Sequence, residues 1–357
     1  MSLSVFDLGF LYNKAIVNGK HIMTKSVVGV GKHLEFREFD LTPKEELEQK
    51  DFIMSKVEGM GYFVSDLAID QSDTILHSLK DNRFNDQSIK ALVSTAFGIG
   101  LGSGQHSSYV VSGLPASHFS KFKDNIKSLF MGDGQKTHTF NVYSERVMGF
   151  DSMEIHGKKN SVGTVRTIEG RFLPQPHGAA MSRLLAEDGS IADKKLASKT
   201  VAVIDPGFGT TDVYVLNAMS PVERLTFSVP VAMNTAYTLI ANKIREGFGV
   251  QLPFYLVENV VRSKKFVKDG VEADMTEVIA WAFKHTAQQF LAELYNHWKN
   301  THEIDTILVA GGGGASLYPY LVPELSSPEL LPNPQWSIAI GYHRWGVRTW
   351  KDVLKYG

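Results

Sequence analysis

The stretch Val201-Ala-Val-Ile-Asp205-Pro-Gly207-Phe-Gly209-Thr210-Thr211-Asp212-Val-Tyr-Val-Leu216 decides the fold. An apolar run of strand composition ends in a polar, glycine-rich turn and then resumes, which predicts a β-hairpin. Gly207 and Gly209 let the backbone approach a ligand closely and aim N–H groups at it, a cradle suited to an anion. Asp205 and Asp212 bring negative charge to the same place. Carboxylates beside an anion cradle are reconciled by a hydrated Mg²⁺ between them. Alone, the segment also fits an ordinary tight hairpin.

A near-repeat at the N-terminus separates the two readings. Ser4-Val5-Phe6 lead into Asp7-Leu-Gly9-Phe-Leu-Tyr-Asn-Lys14, and Ala15, Ile16 and Val17 follow. One acidic-glycine hairpin in each half of the chain predicts a duplicated fold that clamps one ligand between its halves.

A chain of 357 residues exceeds the usual single core, so two domains are expected. With 43% hydrophobic and 21% charged residues the composition is that of a soluble globular protein, and a net charge of -1 argues against direct nucleic-acid binding. The absence of cysteine excludes disulfides and thiolate chemistry and fits a cytoplasmic protein. The opening MSLSVFDLGF lacks the pattern of a secretion signal, and no apolar run reaches the roughly 18 residues of a membrane span.

Between the hairpins, Lys25 to Phe84 mixes short strand-like pieces with charged loops, including Leu41 to Lys50 and Val57 to Val64, and reads as a small inserted subdomain outside the core. Ile89, Leu92, Val93, Ala96, Phe97 and Leu101 fall at helical spacing. Glycine-rich Phe97 to Gly104 then reads as a helix end and loop, since its spacing matches neither a dinucleotide fingerprint nor a Walker A loop. Tyr109 to Val111 reads as a buried strand stopping at Ser112-Gly-Leu-Pro115. Val162 to Leu173 reads as a strand leading into a helix with Pro176 in its first turn, whose small residues Gly178, Ala179 and Ala180 suit a crossing between halves. His177 beside them reads as a packed or surface histidine rather than a ligand, with no second histidine at metal spacing. Helices are predicted over Thr235 to Gly247 and Thr276 to Asn300. The strand Thr306 to Ala310 runs into Gly311-Gly312-Gly313-Gly314, where a flat group can lie on bare backbone and a following helix can point at the same ligand.

Taken in order, these segments resemble the actin-like ATPase superfamily. Asp7-x-Gly9 with Lys14 looks like phosphate loop 1, Gln175-Pro-His-Gly-Ala-Ala180 is similar to the first connecting helix, and Asp205-x-Gly207-x-Gly209-Thr-Thr-Asp212 looks like phosphate loop 2. Gly311 to Gly314 resembles the adenosine loop, and Ala339-Ile-Gly341-Tyr342 the second connecting segment. Val111 to Pro115 and Pro334 to Tyr342 most resemble plasmid-segregation actins of the ParM type and their archaeal and phage relatives. The resemblance implies an α/β, two-domain actin-like fold, a duplicated ribonuclease H-like unit with nucleotide in the interdomain cleft. Domain I would comprise 1–175, with the inserted subdomain at about 25–85, completed by 338–357; domain II would comprise 176–337, with a small subdomain at about 235–300.

By position the resemblance also assigns roles. Asp7 and Asp205 would hold Mg²⁺ through water, Lys14 would contact the phosphates of ATP or ADP, and Gly9, Gly207, Gly209, Thr210 and Thr211 would cradle them. Gln175 would orient the attacking water; many relatives carry Glu there. Arg245 and Glu246 would contact ribose and base, with Gly312, Gly313 and Gly314 beneath the adenosine. The implied activity is ATP hydrolysis, with GTP also open, coupled to head-to-tail self-assembly and to plasmid DNA movement through a DNA-binding adaptor. Two rival readings are a small-molecule kinase of the same superfamily, for which no clear sugar-binding carboxylate stands out, and a membrane-tethered actin homologue. The last rests on His343 to Gly357, where aromatic and aliphatic residues interleave with Arg and Lys as in an interfacial helix. A terminal helix packed on the first domain is the preferred reading of that segment.

Overall fold

The computed structural model describes residues 1–32, 34, 53–76, 83–143, 149–151, 154–156, 160–298 and 303–354, with backbone alone for those between 149 and 160. Both expected hairpins form. In the first half β1 (Ser2–Leu8) pairs antiparallel with β2 (Tyr12–Val17), which pairs with β3 (Lys20–Lys25). After β4 (Val28–Val30), β5 (Ile53–Val57) and β6 (Met60–Val64), β7 (Gly104–Leu114) runs parallel to β1. Then come β8 (Thr137–Tyr143), the small β9 (Gly149–Asp151) and β10 (Glu154–His156) pair, and β11 (Asn160–Pro174) parallel to β7.

The second half repeats the plan. β12 (Thr200–Pro206) pairs antiparallel with β13 (Thr211–Asn217), which pairs with β14 (Ser220–Pro221) and β15 (Phe227–Val229). A side hairpin, β16 (Lys265–Lys268) and β17 (Val271–Asp274), precedes β18 (Thr306–Val309) and β19 (Pro328–Leu330), parallel to β12 and to each other. The strand order β3-β2-β1-β7-β11 in one sheet is thus matched by β14-β13-β12-β18-β19 in the other. The duplication anticipated from two short turns extends to five strands per half.

Alternation along β1 explains the layering. Phe6 and Leu8 enter a core beneath the helices Gln87–Leu101 and Ala116–Met131, while Leu3 and Val5 face the other way. That opposite face belongs to a second core shared by both halves, containing Val111, Val201, Val203 and Leu216 together with Met181, Leu184 and Tyr342 of the helices Gln175–Leu184 and Ser337–Thr349. A third core fills the far side of the second sheet under the helices Met233–Phe248 and Thr276–His297. The two connecting helices cross where a Cβ on Gly341 would fall 1.6 Å from the Gly178 carbonyl oxygen, an approach open only to bare backbone.

Several segments differ from the sequence reading. The described strands of 25–85 do not stand apart: β5 joins β8, and β6 and β4 extend the same sheet, with Val28, Ile53, Val57, Tyr62 and Val64 in the first core. The charged residues interspersed among those strands in the sequence concealed their apolar inner faces. Leu41 to Lys50 lies outside the described residues. Gly98 and Gly100 are inside the helix Gln87–Leu101 rather than in a loop; Cβ atoms there would lie 2.5 Å from Val142 and 2.3 Å from Val17, so these glycines let the helix sit directly on the sheet. The helix Met233–Phe248 ends at left-handed Gly249, two residues beyond the expected glycine cap. Toward the C-terminus Trp350 is buried and Trp345 packs on the shared core, so these two aromatic residues, which an interfacial helix would present to lipid, lie against the protein. Among the described residues no helix is long and apolar enough to cross a membrane.

Candidate functional site

The two hairpin turns face a cavity of about 320 Å³, lined by residues of both halves. Its acidic groups follow from strand register. Asp7 stands directly across from Lys14, and Asp205 directly across from Asp212, so each pair shares one face of its hairpin. Asp7 is 2% exposed and Lys14 7%, with Nζ 2.6 Å from Asp7 Oδ2. Lys14 is therefore no solvated strand residue. Gln175, the first residue of its helix, donates from Nε2 to Asp7 Oδ1 at 2.8 Å.

Asp205 is the electrostatically exposed member of the set. Burial, then the charges of Asp212 and Asp7, push its carboxyl up from 3.8 to about 7, with Lys14 the one opposing influence named. Among the described residues its carboxylate has no hydrogen-bond or ion-pair partner. Asp212 is likewise raised by burial but is held by Ser228 and by the Ala116 N–H, which donates to Oδ2 at 2.8 Å. That last bond makes a second-half carboxylate cap the helix Ala116–Met131 of the first half.

The glycine loops divide the work differently from expectation. Gly207 N–H donates to the Thr210 carbonyl at 2.9 Å and Gly9 N–H to that of Asp7 at 3.1 Å, so these amides close their turns instead of serving the cavity. Gly209 and Thr210 line the cavity, whereas Thr211 turns its hydroxyl to the Val231 carbonyl. Gly311, Gly312 and Gly313 line it as the first turn of the helix Gly311–Leu321, whose N–H groups have no partner within the helix. Gly311 has φ +76° and a Cβ there would lie 2.6 Å from Asp205 Oδ1, so helix start and carboxylate are in direct contact only because the residue is glycine. Gly314 packs on Val309 behind that turn.

Arg245 and Glu246 are not in the site. Both are exposed at the far end of the helix Met233–Phe248, where Glu246 pairs with Lys243 at 2.8 Å. The same helix reaches the cavity with Met233 and Tyr237, nearer its N-terminus. The next helix, Phe254–Ser263, supplies Glu258 and Arg262. Tyr12 donates its hydroxyl to Glu258 Oε1 at 2.5 Å across the halves, and burial followed by that carboxylate raises the phenol well above its ordinary range. Arg83 also lines the cavity, buried, donating to the Leu8 carbonyl. None of Tyr12, Arg83, Glu258 and Arg262 carries a local motif; Tyr12 and Glu258, bonded to each other at the cavity, are 246 residues apart.

His177 is packed as expected, edge-on to Trp345 and Tyr214, and burial pulls its imidazole down to about 4, so it is neutral. Among the described residues no group of three or more His, Cys, Asp or Glu is arranged to hold a metal by direct ligation. The hard oxygens of Asp7 and Asp205 fit a hydrated divalent cation, and uncompensated Asp205 is the observation that favours one.

Two family models match in succession: Actin like proteins N terminal domain over residues 6–178, and Archaeal actin homologue MreB-like, C-terminal, over 203–322. An archaeal actin homolog of Thermoplasma volcanium is 26% identical over 184 residues, 48% of this chain and 55% of its own length. One of Thermoplasma acidophilum is 25% identical over 213 residues, 55% of this chain and 64% of its own. The matches thus span little more than half the length of these curated relatives. Among solved structures, an archaeal actin homolog in complex with ADP superposes with TM-score 0.75 at 19% identity, over 98% of this chain and 100% of that one. A ParM of a 15-stranded filament from Clostridium botulinum superposes with TM-score 0.73 at 20% identity, over 97% and 99%. Sequence match and strand order agree, and the chain belongs to the actin-like ATPase family.

Proposed function

We propose that this chain binds Mg²⁺–ATP between its halves, hydrolyses it, and uses the cycle to build and dissolve head-to-tail filaments. The observation that carries the reading is Asp205: a buried carboxylate without a counter-charge, facing Asp7 across a cavity and touching a helix N-terminus. When bound, Mg²⁺ would supply the positive charge that Asp205 lacks and screen the phosphates. Asp7 and Asp205 would hold its water shell. Lys14 would exchange part of its contact with Asp7 for a phosphate oxygen, and the first-turn amides of Gly311 to Gly313 would receive an anionic or polar edge of the nucleotide. Gln175, tied to Asp7, would orient a water for in-line attack without acting as an ionised base.

The architecture and the likeness to the solved ParM filament support assembly. Two halves joined by crossing helices and separated by a nucleotide cleft make a two-state element, and head-to-tail addition along one heterologous interface gives an open polymer. We assign 1–175 with 338–357 to the first half and 176–337 to the second, with 235–300 as the second half's smaller portion. The cargo we favour is plasmid DNA held through a DNA-binding adaptor, in the cytoplasm. Sedimentation and light scattering test the reading: polymer should appear with Mg²⁺–ATP above a critical concentration and decay as ATP is consumed. A chain that stays monomeric with ATP yet phosphorylates a small sugar overturns it in favour of a kinase.

A further inference from the structure

Arg83 is 4% exposed, in the wall of the cavity just ahead of the helix Gln87–Leu101. Its guanidinium donates to the Leu8 carbonyl and lies 4.0 Å over the Phe10 ring, both in the turn of the first hairpin. Neither contact neutralises it. Lys14, the other buried cation here, is committed to Asp7, whereas among the described residues Arg83 has no carboxylate within ion-pairing distance. Burial pulls the guanidinium down to about 10, so it remains cationic at neutral pH. A buried, unpaired guanidinium is costly until an anion reaches it, and its planar fork matches phosphate oxygens.

We propose that Arg83 binds the terminal phosphate of a triphosphate in the cavity and makes the first hairpin distinguish triphosphate from diphosphate. The position follows from its neighbours. Gln175 is bonded to Asp7, and the Asp7 charge is felt at Arg83, so the cation is on the side where water would meet the phosphorus that is attacked. The same side chain braces the Leu8 to Phe10 turn, so loss of the phosphate would be transmitted directly to that turn. This rests on the nucleotide reading above.

Calorimetric titration of the full chain with Mg²⁺–ATPγS, Mg²⁺–ADP and inorganic tripolyphosphate, alongside thermal melts, tests it. Arg83→Gln should weaken ATPγS and tripolyphosphate about tenfold or more, the scale of a lost charged hydrogen bond, while ADP changes by less than about threefold. Arg83→Lys, which keeps the charge without the fork and guards against misfolding of the first variant, should fall between. Equal weakening of ATPγS and ADP with a lowered melting temperature would mean that Arg83 only braces the turn, and the proposal fails. If the wild-type chain binds neither nucleotide, the nucleotide reading falls. Tripolyphosphate then separates the two claims: binding that depends on Arg83 upholds the phosphate contact, and no binding overturns it as well.

Discussion

The two acidic-glycine hairpins share register, antiparallel pairing and a parallel neighbour, yet they differ in the residue that faces the aspartate. Seven residues after its aspartate, the first places Lys14 and the second Asp212. Register then sets the rest: the first aspartate is held in an ion pair of 2.6 Å, while the second faces a like charge in a buried setting and its carboxyl is pushed up to about 7. Duplication supplied two carboxylates aimed at one cavity, and a change of sign at one cross-strand partner made one charge-balanced and left the other in need of a cation.

Removing the uncompensated aspartate has the largest expected effect. Asp205→Ala should weaken Mg²⁺-dependent nucleotide binding about 10- to 100-fold, the range for losing a group that holds a metal's outer shell, and abolish assembly. Without metal the same variant should melt no lower than wild type at pH 8, because it removes a buried, unpaired charge. A variant that still pellets normally with Mg²⁺–ATP would mean that the second hairpin holds no cation.

Gln175→Ala addresses the other side. Orientation of water matters more in the transition state than in the ground state, so turnover should fall at least about tenfold, or about 1.4 kcal/mol, with nucleotide affinity little changed and polymer longer-lived. Because Gln175 also bonds Asp7, an equal loss of affinity would show instead that it only braces the first hairpin.

Sequence and structure agree where chemistry is local. Asp7, Lys14, Asp205, Gly312 and Gly313 were legible as cavity residues because each lies in a short strand-turn or strand-helix unit, whereas Gly314, expected beside them, packs on Val309 behind the turn. Lys14 was legible as a site residue but not as the ion-pair partner of Asp7, since that needs the register of the hairpin. Arg245 and Glu246 failed because a helix fixes spacing but not which end meets the cavity; Met233 and Tyr237 lie at the productive end. Tyr12 with Glu258, and Arg83, were invisible because their partners are distant in sequence. The continuous first sheet was concealed for a similar reason: β5 reaches it through β8, more than 80 residues away.

The smallest effect tests the charge difference itself. In the metal-free protein the carboxyl of Asp205 titrates near 7 when folded against an ordinary 3.8, so between those values the native state holds a proton that the unfolded chain has released. Unfolding there releases a proton, and stability therefore declines as pH rises through this window, levelling off above the folded value. Metal binding has the opposite sense: Mg²⁺ competes with that proton, so Mg²⁺-dependent nucleotide affinity should rise with pH up to about 7 and then flatten. Asp212→Asn removes the facing charge while leaving an oxygen to accept from Ala116 or Ser228. It should move the midpoint of the Mg²⁺-linked curve to lower pH, at a stability cost of about 1 kcal/mol for the hydrogen bond that the amide cannot reproduce. Titrations of nucleotide affinity from pH 5 to 8 on both proteins measure the shift. Superimposable curves would show that burial and Asp7 set the Asp205 carboxyl without Asp212, and that the exchange of Lys14 for Asp212 between the two hairpins has no electrostatic consequence for the cation.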